Sequence, residues 1–207
     1  MTRNAWNFWA RYYDRLWVQR FVLKPTRREI LKHISPTKPT SVLDVGCGTG
    51  QLYADLCRHF NSVPFSYLGI DPSERMLQKA REKHPDANFK HVSADTFTAS
   101  DESHDIIACC NAFPYFDDQP GFLARSKSML SDDGSLLIAQ ASVNSLYDAL
   151  VMMCVKVTVP RARYCSRREV AAMGAPVFGG PPQAIRINRS PLIPSIILFK
   201  WQRAEGS

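Results

Sequence analysis

The sequence predicts an α/β fold, a doubly wound and mostly parallel sheet with helices on both faces. Short apolar runs of strand length alternate with segments whose apolar residues recur at helical spacing, and this alternation continues through five strand-like runs. The first run ends at Val45 and leads directly into a glycine-rich turn, which a helical pattern follows. A chain of 207 residues with 45% apolar and 22% charged residues is long enough for a full core and ordinary in composition.

The predicted elements follow in order along the chain. Apolar and aromatic residues at helical spacing predict a helix over 5–24, after which Pro25 ends it or starts a further helical stretch over 26–34. Asp118 is the expected N-cap of the helix before the fifth strand, and Gly134 ends the loop after that helix. Helices are predicted over 51–60, 73–83 and 118–130, and strands over 41–45, 66–70, 89–92, 105–110 and 135–139.

The C-terminal part has less regular patterns. Ser166 and Glu169 have the spacing of a capping box, which predicts a short helix to Met173. A Gly-Gly-Pro-Pro loop at 179–182 separates this helix from two strands predicted over 184–188 and 195–202.

The glycine-rich turn after the first strand predicts a ligand site. A dinucleotide-binding turn needs Gly-x-Gly-x-x-Gly, but Gln51 occupies the position of its third glycine. The pattern is instead Asp-x-Gly-x-Gly-x-Gly, formed by Asp44, Gly46, Gly48 and Gly50. About twenty residues later Asp71 follows the second apolar strand, where a carboxylate can accept hydrogen bonds from both hydroxyls of a diol.

These residues resemble the first motif and the second-strand acid of the class I S-adenosylmethionine (SAM)-dependent methyltransferases. The resemblance covers 40–140 well. It implies SAM as cofactor, a seven-stranded Rossmann-like sheet closed by a C-terminal antiparallel hairpin, and an N-terminal helical lid. The expected organisation is one methyltransferase domain over 1–207, with the lid at 1–40, the SAM-binding core at 41–140 and a substrate side at 141–207.

The resemblance also implies which residues hold the cofactor. The glycines make room for the methionine moiety, Asp71 binds the ribose hydroxyls, Asp95 accepts from the adenine amino group, and Met76 packs against adenine. Thr96 and Phe97 are expected beside the adenine ring. The full expected cofactor set is Asp44, Gly46, Cys47, Gly48, Gly50, Asp71, Pro72, Met76, Asp95, Thr96 and Asn111.

Three residues are candidates for catalysis: Asn111 and Tyr115 after the fourth strand, and Tyr13 in the N-terminal helix. Methyl transfer mainly requires alignment and exclusion of water, and a base only when the acceptor's own pKa is high. The Asn-Ala-Phe-Pro-Tyr segment from Asn111 differs from the Asn-Pro-Pro-Tyr motif of enzymes that methylate nucleic-acid amines, so nucleic acid is not the expected substrate.

Charge divides the chain into an acidic centre and two basic flanks. Residues 1–40 and 151–207 each carry nine Lys or Arg against two acids, whereas 41–150 carry eight against fifteen. The expected function is therefore transfer of a methyl group to a small-molecule acceptor, for which basic flanks favour an anionic one.

Two other functions remain open from the sequence. The first is a lipid-headgroup methyltransferase that contacts a membrane through 5–24, where Trp6, Trp9 and Trp17 alternate with arginines. The second is a SAM-binding regulatory protein without catalysis.

Location and cysteine chemistry follow from the same composition. No signal peptide and no membrane span is predicted, so a cytoplasmic location is expected. In the lipid-headgroup alternative, the protein would be peripheral to a membrane. The six cysteines show no metal-ligand spacing, so no metal is expected. Arsenic or thiol chemistry at Cys109, Cys110, Cys154 and Cys165 is disfavoured, because adjacent strand cysteines point to opposite faces.

Overall fold

A computed structural model describes residues 22–38, 40–98, 103–158, 162–188 and 194–203, the side chains of 154–158 excepted. The α-helices in these ranges are α1 (Lys24–Leu31), α2 (Gln51–Phe60), α3 (Glu74–Lys83), α4 (Gln119–Met129), α5 (Leu146–Thr158) and α6 (Arg167–Phe178), and a short 3-10 helix covers Phe113–Tyr115. The strands are β1 (Thr40–Val45), β2 (Phe65–Asp71), β3 (Asn88–His91), β4 (His104–Cys110), β5 (Leu130–Ala141), β6 (Gln183–Arg186) and β7 (Ile196–Gln202).

The strands form one seven-stranded sheet in the order β3-β2-β1-β4-β5-β7-β6. The first five strands run parallel, and β7 pairs antiparallel with both β5 and β6. This is the doubly wound, mostly parallel sheet with a C-terminal antiparallel hairpin that the sequence predicts. The strand order reverses between β1 and β4, so the carboxyl ends of these two strands flank the crevice where ligands bind in such sheets.

The central strands are largely apolar because helices cover both faces of the sheet. Val42 packs with Ile30 of α1 and Leu56 of α2 on one face. Its neighbour Leu43 points to the other face and joins the cluster that contains Phe122 of α4. Since consecutive strand residues alternate between faces, β1 has apolar residues at adjacent positions and not only at every second one.

The predicted helix caps are present with their hydrogen bonds. The Asp118 carboxylate accepts from the Gly121 N–H at 2.9 Å. Ser166 and Glu169 form the full capping box, in which Ser166 Oγ accepts from the Glu169 N–H at 3.2 Å and the Glu169 carboxylate from the Ser166 N–H at 2.8 Å.

Several element boundaries differ from the prediction. α5 has no counterpart in the predicted elements, and α6 continues five residues beyond Met173 through Pro176 to Phe178. β5 begins directly after α4 at Leu130 instead of after Gly134, with a shift in its register against β4 between His104 and Ile106. The predicted helix over 5–24 lies outside the described residues up to position 21; Pro25 stands in the first turn of α1.

Candidate functional site

A cleft of about 930 Å³, open to solvent, lies at the carboxyl ends of β1, β2 and β4. Its place at the reversal of strand order is that of a ligand site in an α/β protein. The residues that line it come from the loops after these strands and after β3: Gly46, Gly48, 71–73, Met76, 93–95, 110–112 and 115–117.

The glycine-rich loop reaches the cleft through two of its three glycines. Gly46 has φ +75°, and a Cβ there would lie 2.3 Å from the Cβ of Ala112, so only glycine lets β1 approach the loop after β4. Gly48 has φ +55°, and a Cβ there would meet nothing within 4 Å because the position faces the cleft. Gly50 instead packs toward His84 and Phe89 and caps α2, so the structure does not bring it to the cleft.

Asp71 ends β2 beside this loop. One of its oxygens accepts from the Gly48 N–H at 3.0 Å and the other from the Ser73 N–H at 2.8 Å. The Ile70 carbonyl accepts from the N–H groups of Gly46 and Cys47, which holds the loop against β2. Burial raises the pKa of Asp71 to about 6, against the opposing effect of these two backbone donors. Because each carboxylate oxygen keeps a further lone pair, Asp71 can still accept from two hydroxyl donors.

Asp44 lies beneath the loop in a second, smaller pocket. Its side chain is buried, and it accepts from the Tyr67 hydroxyl at 2.8 Å. Burial raises the pKa of Asp44 to about 7, and the nearby Asp71 acts in the same direction. Arg27, whose side chain pairs with Asp55, and Cys47 also line this pocket. Gly46, Gly48 and Cys110 line both pockets, so the two meet at the glycine loop.

Asp95 and Met76 line the cleft, and Thr96 does not. Asp95 accepts from the Ser93 hydroxyl at 3.2 Å and from the Asp118 N–H at 3.1 Å, which fixes its orientation. Thr96 is exposed, and its hydroxyl donates to the Ser93 carbonyl. Phe97 is buried in the core and does not line the cleft either.

The loop after β4 carries Asn111 and Tyr115 into the same cleft. Asn111 has φ +59°, an uncommon conformation for a residue other than glycine, and its N–H donates to the Ala139 carbonyl at 2.7 Å. The hydroxyls of Tyr115 and Tyr164 lie 3.0 Å apart. Burial raises the pKa of Tyr164, so this hydroxyl is protonated at neutral pH and suits a positioning role. Tyr13 lies outside the described residues.

The cysteines of β4 are poor candidates for thiol chemistry. Burial raises the pKa of Cys109 well above its usual range and that of Cys110 to about 12, so neither forms a thiolate readily. Within the ranges that the structure describes, no group of His, Cys, Asp and Glu is arranged to hold a metal ion.

Comparison with known proteins identifies relatives of this chain. A methyltransferase domain family matches residues 42–134, which span the loop, Asp71, Asp95 and Asn111. The chain is 24% identical over 190 residues to trans-aconitate 2-methyltransferase of Variovorax paradoxus, covering 86% of this chain and 73% of that one. It is 29% identical over 135 residues to demethylmenaquinone methyltransferase of Porphyromonas gingivalis, covering 62% of this chain but only 51% of that one.

Solved structures agree on the fold. The YcgJ protein of Bacillus subtilis matches with a TM-score of 0.72 at 18% identity over 87% of this chain and 99% of its own. The plantazolicin methyltransferase BpumL, solved with SAH, the product form of SAM, matches with a TM-score of 0.72 at 16% identity over 99% of this chain and 95% of its own.

Residues 42–134 are a methyltransferase domain, and the fold is that of the class I SAM-dependent methyltransferases. The cofactor of this family fits the cleft by charge, since SAM carries a sulfonium and an ammonium group against a single carboxylate and is a net cation. Among the described residues, Asp71, Asp95 and Asp117 line the cleft, and no lysine or arginine does. Gly48 leaves open the space that a ligand beside the loop needs.

Sequence reasoning missed several residues of the cleft and of the second pocket. Ser93 and Asp117 line the cleft, and Arg27 lines the second pocket, but no local pattern marks them. Tyr164 is far from the glycine-rich loop in the sequence. It reaches Tyr115 because Gln119 donates to the carbonyls of both Phe113 and Arg163 and so joins the two segments.

Proposed function

We propose that this protein transfers the methyl group of SAM to a small-molecule acceptor bound at the end of the cleft formed by 111–117. One observation carries the proposal: a single cleft is lined both by Gly48 and Asp71 and by the polar residues Asn111 and Tyr115 after β4. In a parallel sheet with this strand order, a ligand between β1 and β4 lies between these two sets of residues.

In the proposed complex the cofactor lies along the loops after β1, β2 and β3. Asp71 would accept from the ribose hydroxyls, Asp95 from the adenine amino group, and Met76 would pack on the adenine ring. The backbone bonds that hold both carboxylates support these roles, because they orient the oxygens before any ligand binds. The second pocket beside Asp44 would receive the amino-acid end of the cofactor.

The chain's own contribution to the reaction is alignment of the acceptor. SAM supplies an electrophilic methyl group when bound, so the protein has to hold the acceptor in line and keep water out. Asn111 and Tyr115 are the polar side chains suited to this task, with Tyr164 holding the Tyr115 hydroxyl in place.

The acceptor's charge is a finer part of the proposal. Trans-aconitate, the acceptor named for one relative, is a carboxylate, and the basic flanks of this chain favour an anionic acceptor in the same way. The described lining of the cleft supplies no cation, so attraction of an anion would rest on residues around it, such as the exposed Arg163, whose N–H donates to the Pro114 carbonyl.

The proposal is tested by incubating the protein with methyl-labelled SAM and either an aqueous metabolite extract or a lipid extract. We expect label in an aqueous product, and loss of that product in a Tyr115→Phe variant that still binds SAM. Label confined to the lipid extract would favour the lipid-headgroup alternative. Binding of SAM without transfer in either extract would favour the regulatory, non-catalytic alternative.

A further inference from the structure

Helix α5 presents an apolar stripe to solvent. Four large apolar side chains on it are exposed: Leu146 (79%), Tyr147 (44%), Leu150 (53%) and Met153 (61%). Leu146, Leu150 and Met153 follow at spacings of four and three residues, which places them on one side of the helix. A contiguous exposed apolar patch of this kind marks an interaction surface.

The opposite side of α5 is fixed to the protein, so the stripe has to face outward. Asp148 is 2% exposed, and its carboxylate accepts from the Ser195 N–H at 2.8 Å and the Asn144 N–H at 3.1 Å. Met152, four residues later on the same side, is buried. These hydrogen bonds also lower the pKa of Asp148 in spite of its burial, and they keep its negative charge away from the stripe.

A cationic cluster lies beside the start of α5. Arg163, Arg167 and Arg168 are all exposed, and their segment is bonded to the residues before α5. The Arg167 N–H donates to the Asn144 side-chain oxygen at 2.9 Å, and the Ser142 hydroxyl donates to the Cys165 carbonyl at 2.7 Å. The acid of this segment, Glu169, uses its carboxylate in the capping box of α6 and lies 3.9 Å from Arg163.

We propose that the stripe of α5 and this arginine cluster dock on the surface of an anionic lipid bilayer. A helix that lies in a membrane interface combines an apolar side with cationic side chains. Here α5 supplies the apolar side chains, and the neighbouring segment with the start of α6 supplies the arginines. Anionic headgroups attract each nearby arginine while the apolar side chains enter the acyl boundary. No helix in the described part of the chain is both long and apolar enough to span a bilayer, and docking at the interface requires none.

Charge favours a bilayer over the chain's own N-terminal residues as the occupant. Residues 1–21 carry four arginines and one aspartate, so they have the same sign as the cluster beside α5. Two segments of like charge repel each other, whereas both are attracted to one anionic surface.

Docking here would also act on the cleft. The segment that follows α5 packs against the loop that carries Tyr115 into the cleft, since the Arg163 N–H donates to the Pro114 carbonyl and the Tyr164 hydroxyl lies 3.0 Å from that of Tyr115. A bilayer bound to the stripe would therefore lie next to the segment that orients Tyr115. The docking itself does not depend on methyl transfer and is measured without it.

The test is co-sedimentation with phosphatidylcholine vesicles with and without added phosphatidylglycerol, at low salt. We expect wild-type protein to bind the anionic vesicles, to release at high salt and to leave pure phosphatidylcholine vesicles unbound. Leu150→Glu/Met153→Glu should weaken binding by at least about tenfold, because two apolar groups are lost from the interface and two acids are added. Ala124→Glu/Ser128→Glu, on the exposed side of α4, adds the same charge and should bind like wild type.

A second variant, Leu150→Ser/Met153→Ser, removes the apolar groups without adding charge and should also weaken vesicle binding. Absence of wild-type binding to the anionic vesicles would overturn the proposal. Unchanged vesicle binding in both stripe variants would overturn it as well. A lower melting temperature or an altered oligomeric state in those variants would then show that the stripe is covered by the chain itself or by a second copy.

Discussion

Asp71 is the residue on which the cofactor assignment depends most. Asp71→Asn keeps the size of the side chain but replaces one acceptor oxygen with a donor. We expect a loss of about 1.5–3 kcal/mol in SAM binding, roughly a factor of 10 to 150 in Kd, as for a lost charge-assisted hydrogen bond. Isothermal titration calorimetry measures it, with the exposed Asp133→Asn as control. Equal affinity of wild type and Asp71→Asn would remove Asp71 from the ribose site.

The two acids near the glycine loop predict a pH dependence of cofactor binding. The pKa of Asp71 is raised to about 6 and that of Asp44 to about 7, so both are partly protonated near neutral pH. A cationic ligand with hydroxyl donors favours the ionised carboxylates, so binding lowers both pKa values and releases protons. SAM affinity should therefore rise as pH increases through the range from about 6 to about 7.

Calorimetry in buffers with different ionisation enthalpies measures the released protons directly. Asp44→Asn should remove the upper part of the pH dependence and leave the part due to Asp71. Affinity that is constant over this range, with no proton release, would contradict the electrostatic account of the site.

Two glycines of one loop should respond differently to the same substitution. Gly46→Ala places a Cβ 2.3 Å from Ala112, so it should lower the melting temperature strongly. Gly48→Ala meets no protein atom and costs only the strain of a positive φ, about 1 kcal/mol. The Gly48 variant should therefore stay folded and lose SAM affinity, as thermal melts with and without SAM would measure. Equal destabilisation by the two substitutions would mean that Gly48 has a structural role.

At the scale of elements, prediction succeeded where the determinants are local. The apolar run of β1, the caps of α4 and α6 and the turn after β1 depend on neighbouring residues, and each is where the sequence indicates it. α5 was missed because its long apolar run reads equally well as a strand or a helix. α6 passes through Pro176 because a proline near a helix end removes only one late hydrogen bond.

The residues of the site divide in the same way, into those that local sequence marks and those that only tertiary contacts bring there. Asp71 and Gly48 are recognisable because each follows an apolar strand at a characteristic spacing. Tyr164 and Arg27 reach the site through tertiary contacts, namely the Gln119 bridge and the ion pair with Asp55. No spacing in the sequence encodes such contacts, so only the structure could find these residues.

The capping box of α6 gives a prediction at this scale. Ser166→Ala removes the acceptor for the Glu169 N–H, and it should lower the free energy of unfolding by about 1 kcal/mol. Urea denaturation measures the change. Ser128→Ala is the matched control, because the exposed Ser128 hydroxyl bonds only within the last turn of α4. A loss no larger than in the control would show that the capping box adds little to the stability of this region.

At the scale of the whole molecule, the distribution of charge along the sequence corresponds to the charge that surrounds each of the two proposed binding sites. The acidic centre of the sequence supplies the carboxylates of a cleft suited to a cationic cofactor, and the basic flanks supply the arginines beside α5. The partners at the two places therefore differ in sign: a cation in the cleft and an anionic surface or acceptor outside it. An even distribution of acidic and basic residues along the chain would favour neither partner.

The central claim is that the cofactor binds in the cleft beside the glycine loop. Calorimetric titration of SAH, which cannot react, into wild type and Gly48→Val tests this most directly, with circular dichroism to show that both are folded. The account predicts one-site binding by wild type and none by Gly48→Val, because the valine side chain would occupy the open space beside the loop. No binding by wild type, or equal binding by a folded Gly48→Val variant, would contradict it.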